Sequence, residues 1–281
     1  MPFLFDSHTH LQFSAFDKDR NEVIKRTREN KIWTVNVGSQ KTTSQKSVEL
    51  ANEYPEGIYA TVGIHPIHTA PLFYGAGEFE GDSGFKTRSE EFDYEFYKTL
   101  GLDKKVVAIG ECGLDYYKII DDKSQQQTRE KQKDVFIKHI DLARELNKPL
   151  MIHCRQAFDD LIRILKDGGH KLPESPGIIH FFTGSLKDAK ILLNMGFYFT
   201  FGGLITHNRD FDEIIKFLPI EKILTETDAP YVSPEPYREK RNEPIYMKET
   251  AKKLAEIKNI SFEESCKQTT QNAFKVFGIG K

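Results

Sequence analysis

Cysteine is scarce in this chain of 281 residues. Cys112, Cys154 and Cys266 are odd in number and form no Cys-x-x-Cys pair, so the sequence predicts neither a disulfide framework nor a structural zinc ribbon. Free thiols are typical of proteins in a reducing compartment. We therefore expect a cytoplasmic protein, or a nuclear one in a eukaryotic cell.

Long apolar runs and an excess of charge of one sign are also lacking. No stretch reaches the roughly 20 apolar residues that a membrane span needs, and the N-terminus has no basic, apolar leader. We expect neither a membrane segment nor a signal peptide. The formal net charge of −2 argues against recruitment of nucleic acid by bulk electrostatics. A phosphate substrate must therefore be attracted locally, by a few basic side chains or by bound metal.

The sequence does have a regular alternation of short apolar runs with longer amphipathic ones. Eight βα units over this length predict an α/β protein, a single (β/α)8 TIM barrel over residues 1–281. A doubly wound open sheet with two extra strands would give a similar pattern. The predicted strands are apolar on nearly every residue, as expected for strands buried on both faces. They are 3–6, 32–37, 58–63, 106–110, 149–153, 177–182, 197–201 and 222–226.

A long segment, 69–105, interrupts this alternation after the third predicted strand. Its first part is rich in glycine and acidic residues, which is typical of an exposed loop. Residues 90–100 predict a helix with Phe92, Phe96 and Leu100 on one face. Because loops of this length in compact domains tend to be functional or disordered, we expect a rim insertion that affects the size and access of the substrate.

Histidines concentrate at the ends of the predicted strands. The carboxyl ends of all strands in a parallel barrel share one rim, so side chains at these positions converge in space. Glu111, after the fourth predicted strand, and Asp228, after the eighth, lie at the same rim. Six of the nine histidines belong to this group: His8, His10, His65, His68, His153 and His180.

Each candidate ligand has a functional and a structural interpretation. His8 and His10 are two residues apart on a strand and point to the same face, so both can bind one ion. A pair of polar surface histidines at a strand end would give the same sequence pattern. Glu111 directly follows a buried apolar run, and burial without a partner would cost several kcal/mol. An ion or a buried salt bridge is expected there. The two carboxylate oxygens of Glu111 could bridge two ions.

Two more histidines and a second acid could complete a pair of ion sites. His153 and His180 end adjacent predicted strands and could form a second site, although each could also be a hydrogen-bonded core histidine. Asp228 can bind the first ion and take a proton from bound water, or it can cap a turn. Glu226, two residues earlier, is interpreted as structural.

Arg155 and His65 are the candidates for contact with a substrate phosphate. Arg155 could clamp a phosphate oxygen or pair with an acid of the rim. His65 and His68 have no clear place among the ligands, and His65 could bind the phosphate or donate a proton in catalysis. Aromatic residues after the strand ends, such as Tyr116 and Tyr117, could stack on the bases of single-stranded DNA or pack the rim. His139 lies on a helical stripe and is expected to pack.

In this order, these residues resemble those of the TatD-type deoxyribonucleases of the amidohydrolase-like superfamily. The resemblance covers nearly the whole chain. It implies that His8, His10 and Asp228 bind one ion, that Glu111 bridges, and that His153 and His180 bind the second ion. It also implies deoxyribonuclease activity, often from the 3′ end, and usually dependence on magnesium. The matching stretches are 6–10, 63–66, 110–115, 153–155, 180–184, 226–230 and 241–244.

The expected enzyme is a hydrolase with two divalent ions about 3.5–4 Å apart, which clamp the attacking and leaving oxygens and activate a water. Imidazole ligands also permit Zn²⁺ or Mn²⁺ in place of Mg²⁺. The expected partner is DNA, single-stranded or at a 3′ end, with no membrane partner. A monomer is favoured, and the oligomeric state stays open.

Three alternatives remain. A D-aminoacyl-tRNA deacylase could use the same metal site on an ester carbonyl. A small-molecule amidohydrolase is disfavoured, because the related dihydroorotases carry a modified lysine where this chain has Glu111. A barrel that binds nucleic acid or protein without turnover is disfavoured because no expected ligand is missing.

Overall fold

Ten strands are present in the computed structural model, which describes residues 2–71, 73–74, 85–119, 123–167, 169 and 171–280. The glycine-rich part of the predicted insertion, at 75–84, lies outside the described residues. The strands are β1 (Leu4–Thr9), β2 (Ile32–Val37), β3 (Ile58–Val62), β4 (Phe73–Tyr74), β5 (Phe85–Lys86), β6 (Val106–Asp115), β7 (Leu150–Arg155), β8 (Gly177–His180), β9 (Tyr198–Phe201) and β10 (Ile223–Thr225).

Eight of these strands form one parallel sheet in the order β1-β2-β3-β6-β7-β8-β9-β10. An isolated parallel bridge between Thr9 and Ala229 joins its two edges. Helices separate most of the strands along the chain, so the prediction of a (β/α)8 barrel is confirmed. The helices are α1 (Arg20–Glu29), α2 (Lys41–Asn52), α3 (Tyr94–Gly101), α4 (Lys123–Leu146), α5 (Phe158–Lys166), α6 (Leu186–Asn194), α7 (Asp212–Phe217), α8 (Met247–Lys258) and α9 (Phe262–Phe277).

The seam between β1 and the segment after β10 is held by backbone and side-chain hydrogen bonds. The backbone N–H of Asp228 donates to the carbonyl of His8, and that of His10 donates to the carbonyl of Ala229, each over 2.8 Å. The buried carboxylate of Asp6 accepts from the backbone N–H and the hydroxyl of Thr227, at 2.9 and 2.6 Å. The seam therefore fixes three of the predicted ligands relative to one another.

Strands β1 and β6 are longer than predicted. β1 continues to Thr9 and β6 to Asp115, so His8 and Glu111 lie within strands and not after them. The pairing of β6 with β7 changes register between Ile109 and Cys112. The apolar pattern ends at these polar residues although the extended backbone continues, which explains why the predicted ends were wrong.

The described part of the insertion contains the β4–β5 antiparallel pair and α3. The side chain of Asp93 caps α3 by accepting from the N–H of Phe96. Tyr97 is fully buried and donates to Glu90 over 2.7 Å, whereas Phe96 is only partly buried. The helix was predicted, but its principal buried residue was not.

The helix α9 closes the N-terminal end of the barrel. Ser261 caps it by accepting from the N–H of Glu264, as the sequence pattern indicates. Its last turn packs Val276 and Phe277 against barrel residues such as Phe5, whose ring centroid lies 5.8 Å from that of Phe277. Among the described helices, none combines the length and the apolar character needed to cross a membrane.

Candidate metal centre

The predicted ligands converge at the carboxyl end of the barrel. His8, His10, Glu111 and His180 are buried there, whereas His153 and Asp228 are half-buried. Side-chain nitrogen and oxygen atoms from five strand ends meet within a few ångströms. Three overlapping groups of three could each hold an ion: His8, His10 and Glu111; His8, His180 and Asp228; and His65, Glu111 and His153.

The first part of the cluster is built by the seam residues. Nε2 of His8 lies 3.1 Å from Nε2 of His10 and 3.6 Å from an oxygen of Asp228, and the distance from His10 to Asp228 is 3.4 Å. Glu111 Oε2 lies 3.6 Å from His8. Ligands that share an ion at about 2.0–2.2 Å lie about 3.0–3.6 Å apart, so the observed separations fit a bound divalent ion.

The other oxygen of Glu111 faces three further imidazoles. Oε1 lies 3.3 Å from Nε2 of His65, 3.3 Å from Nδ1 of His153 and 3.6 Å from Nε2 of His180. The two carboxylate oxygens of Glu111 thus face different sets of imidazole nitrogens. The sequence did not predict that His65 would lie as close to Glu111 as His153 does.

Hydrogen bonds fix the orientation of two of these rings, those of His10 and His180. Nδ1 of His10 donates to the carbonyl of Val37 over 2.7 Å, and Nδ1 of His180 donates to the carboxylate of Glu226 over 2.8 Å. Both rings therefore present Nε2 to the cluster. Glu226 is buried and also accepts from the hydroxyl of Thr200, which agrees with its predicted structural role.

His153 is oriented in the opposite way. Its Nε2 donates to Oδ2 of Asp115 over 3.0 Å, which leaves Nδ1 for the side of Glu111. Sequence reasoning assigned no role to Asp115. The signal was its spacing, since residues four apart on a strand point to the same face, so Asp115 follows Glu111 on one side of β6.

The electrostatics keep Glu111 ionised. Burial alone would raise the pKa of its carboxyl, but the surrounding imidazoles, first those of His65 and His8, hold that pKa well below its usual range. Burial also lowers the pKa of His8 well below its ordinary value. For His153, burial would lower the pKa, yet Asp115 and Glu111 raise it to about 9. An anionic carboxylate surrounded by imidazole nitrogens is a suitable ligand set for a divalent cation.

Arg155 lies beside the cluster at the end of β7. Its guanidinium lies 3.5 Å from the ring centroid of Tyr117, whose side chain is exposed on the rim. Within the part of the chain that the structure describes, no carboxylate lies within 4 Å of Arg155, so the predicted alternative of a rim ion pair is not observed. Tyr116, in contrast, is buried and donates to Asp160 over 2.8 Å, so it packs the rim.

Two further histidines, His139 on α4 and His68 at the rim, have different environments. His139 lies on α4 and packs there, as expected. It also holds the backbone just before His65, because its Nε2 accepts from the N–H of Ile64 over 3.0 Å while its Nδ1 donates to the carbonyl of Val135. His68 belongs to none of the three candidate ion groups among the described residues. Its ring centroid lies 6.4 Å from that of His65.

The loop that carries Asp228 is anchored by Asn242. The buried amide of Asn242 donates to the carbonyls of Thr227, Tyr231 and Val232, at 2.8, 2.7 and 3.2 Å. Asp228 itself has a φ of 56°, in the left-handed region that aspartate and asparagine tolerate better than most residues. The sequence marks Asn242 only through the resemblance of the stretch 241–244 to the family.

Comparisons with known proteins agree with this geometry. The family described as "TatD related DNase" matches residues 5–278. The chain is 39% identical over 279 residues to the "uncharacterized metal-dependent hydrolase YabD" of Bacillus subtilis, covering 98% of this chain and 99% of that protein. It is 31% identical over 284 residues to the "3′-5′ ssDNA/RNA exonuclease TatD" of Erwinia tasmaniensis, covering 98% of this chain and 100% of that one.

Solved structures with the same fold include the TatD homolog YjjV from Escherichia coli. Its TM-score is 0.81 with 24% identity, and the match covers 98% of each chain. A phosphotriesterase homology protein from the same species, solved with phosphate in its active site, has a TM-score of 0.62 with 12% identity and the same coverage. At these identities the two similarities show the barrel fold alone.

Proposed function

This chain belongs to the TatD-related DNase family, and we propose that it is a metal-dependent nuclease that hydrolyses phosphodiester bonds of single-stranded DNA from the 3′ end. The central position of Glu111 carries the proposal. One of its oxygens faces His8 and the other faces His65, His153 and His180. A carboxylate placed in this way can bridge two ions.

The residues present fit a pair of divalent ions. His8, His10, Asp228 and Glu111 would hold the first, and Glu111, His153 and His180 the second, with His65 beside it. Ions bound there would polarise the phosphoryl group and lower the pKa of water. Magnesium is the ion implied by the family resemblance, and the imidazole ligands also suit Zn²⁺ or Mn²⁺.

The chain's own side chains supply orientation and proton transfer. Asp228 is the half-buried carboxylate of the cluster, and it would orient the attacking water and take its proton. Arg155 has no carboxylate partner among the described residues, so its guanidinium is available for phosphate oxygens. His65 would contact the same phosphate from the side of Glu111.

Two features support single-stranded nucleic acid as the substrate. The relative from Erwinia tasmaniensis is named a 3′-5′ ssDNA/RNA exonuclease and matches over nearly the whole chain. The exposed ring of Tyr117 lies under Arg155 at the rim, where a base without a pairing partner could stack.

The experiment that tests this function is a degradation assay with single-stranded oligodeoxynucleotides labelled at the 5′ or the 3′ end, across Mg²⁺, Mn²⁺ and Zn²⁺. We expect nucleotides to be released from the 3′ end, and EDTA and Glu111→Gln each to abolish the activity. The variant Glu22→Gln is the matched control, because it makes the same change on the exposed face of α1.

Three results would contradict the proposal. These are activity that survives both EDTA and Glu111→Gln, release from the 5′ end, and no cleavage with any of the metals. Parallel reactions with RNA and with D-aminoacyl-tRNA separate a broader nuclease and a deacylase from the proposed enzyme.

A further inference from the structure

The N-terminal end of the barrel, opposite the candidate metal centre, contains a cavity of about 880 Å³. It lies where β6 and β9 begin, at Val106 and Tyr198, and it is also lined by the end of α9 and the residues after it, 278–280. At about 3.3 Å per residue, a strand as long as β7 separates the two ends of the barrel by roughly 16 Å. This cavity is therefore separate from the proposed catalytic site.

The cavity is strongly cationic. Glu174 is the one acidic residue among its described lining residues. Four ammonium groups less one carboxylate leave a formal charge of +3, in a chain whose total is −2. In the described part of the chain, none of the four ammonium groups has a carboxylate within 4 Å. The four lysines are Lys104, Lys148, Lys222 and Lys275.

Two of these lysines are held in place by neutral acceptors. The ammonium of Lys148 donates to the carbonyls of Asp103 and Val106, at 3.1 and 2.5 Å. That of Lys222 donates to the carbonyl of Gly196 over 2.7 Å. An ammonium group has three N–H donors, so each lysine keeps at least one donor for a ligand while it stays anchored.

The positive charge of these lysines is only partly compensated, by Glu174 in the lining and by Asp103, whose charge raises the pKa of Lys148. Burial lowers the pKa of Lys148 to about 8. Burial also lowers the pKa of Lys222, and the nearby positive charge of Lys275 lowers it further. A bound anion would oppose each of these effects, since it favours the charged form of a neighbouring ammonium group.

We propose that this cavity binds a phosphate ester that carries an aromatic ring, of the nucleoside monophosphate class. The lysines supply point charges for the phosphate, and the half-buried apolar residues of the lining, Tyr59, Met195 and Ile279, supply a surface for the ring. The volume lies within the roughly 300–1,000 Å³ of small-molecule sites.

Calorimetric titration of adenosine 5′-monophosphate into the full-length protein, in EDTA, tests this site. Glu111→Gln is used as a second background, because it impairs the metal centre at the other end of the barrel. We expect one saturable site in both proteins. The double variant Lys222→Gln with Lys275→Gln should weaken binding about tenfold or more, because it removes two charge-assisted contacts. Inorganic phosphate should bind more weakly than the nucleotide, and adenosine should not bind.

The matched control is Lys25→Gln with Lys46→Gln, which makes the same charge change at two exposed lysines outside the cavity. It should leave the affinity within about twofold, because exposed charges outside the lining are screened by salt. Lys275 is exposed, so Lys275→Gln alone tests the site if the first double variant is unstable.

Four results would overturn the assignment: no saturable binding, equal losses in the two double variants, loss of binding in Glu111→Gln, or adenosine binding as tightly as its monophosphate. None of them bears on the proposed nuclease activity, which is measured separately at the other end of the barrel.

Discussion

Nε2 of His153 donates to the carboxylate of Asp115 over 3.0 Å, and this bond places Nδ1 of the same ring 3.3 Å from Glu111. A carboxylate accepts hydrogen bonds and cannot donate when ionised, so the proton of the ring is held on Nε2. Asp115 is buried, and the histidine lowers the pKa of its carboxyl although burial raises it. Asp115 therefore sets both the tautomer and the direction of a proposed metal ligand.

We predict that Asp115→Asn weakens metal binding by about 10–100-fold, the usual effect of removing a hydrogen-bond partner from a ligating histidine. The amide can present its NH₂ group to the ring and so no longer requires the Nε2–H tautomer. Calorimetric titration of the metal-free protein with Mn²⁺ measures the effect. Asp93→Asn, at the exposed cap of α3, is the control. An unchanged affinity for Mn²⁺ would show that Asp115 does not orient the ligand.

Arg155 should act on the substrate and not on the metal. We predict that Arg155→Met raises the KM for an oligonucleotide about tenfold and reduces the slope of log KM against log salt by about 1, because one phosphate contact is lost. Arg155→Lys should retain the salt dependence, since it keeps the charge, but lose the planar fork that can contact two phosphate oxygens. A change in Mn²⁺ affinity equal to the change in KM would argue against a substrate role.

Much of the fold could be predicted because barrel strands are buried on both faces. Their apolar runs, such as 32–37 and 58–63, end close to the observed strands β2 and β3. The prediction of strand ends failed where polar residues of the site take the place of apolar ones. β6 continues past Ile109 through Glu111 to Asp115, and no hydrophobic pattern marks that extension.

The site could be predicted in part for a similar reason. A shared rim explains why the six predicted ligands meet, but hydrogen-bond partners across the barrel leave no periodic signal. The contact of Glu226 with His180 and the approach of His65 to Glu111 depend on the placement of neighbouring strands. Which ring nitrogen of His153 faces Glu111 is likewise decided by a neighbouring side chain, Asp115, and no sequence pattern pairs these two residues.

Asn242 should be needed for the stability of the loop that carries Asp228. Asn242→Ala leaves three backbone carbonyls without their donor, and we predict a loss of about 2–3 kcal/mol of unfolding free energy. For a chain of this size the melting temperature should fall by roughly 3–6 °C. Thermal denaturation followed by circular dichroism checks this. Asn52→Ala, which removes an exposed amide on α2, should cost much less.

His139 should make stability depend on pH below neutrality. Burial lowers its pKa to about 4, against about 6.5 in an unfolded chain, so between these values the unfolded state binds a proton that the folded state refuses. The contribution of neutral His139 to the free energy of unfolding is complete above about pH 6.5 and is lost as the pH falls. Between pH 7.5 and 5 the wild type should lose roughly 2 kcal/mol more than His139→Gln does in urea denaturation. Equal losses would mean that another group is responsible.

Asp228→Asn separates catalysis from folding. Asparagine tolerates the left-handed backbone at this position, where φ is 56°, so we expect a melting temperature close to that of the wild type. The amide cannot take a proton from water, and kcat should fall by about 10²–10⁴-fold, the usual contribution of a general base. Asp228→Ala should lose the same activity and also some stability, because alanine is strained in the left-handed region. If kcat of the asparagine variant stayed within about threefold of wild type, while its affinity for Mn²⁺ fell, Asp228 would be a ligand without a role in proton transfer.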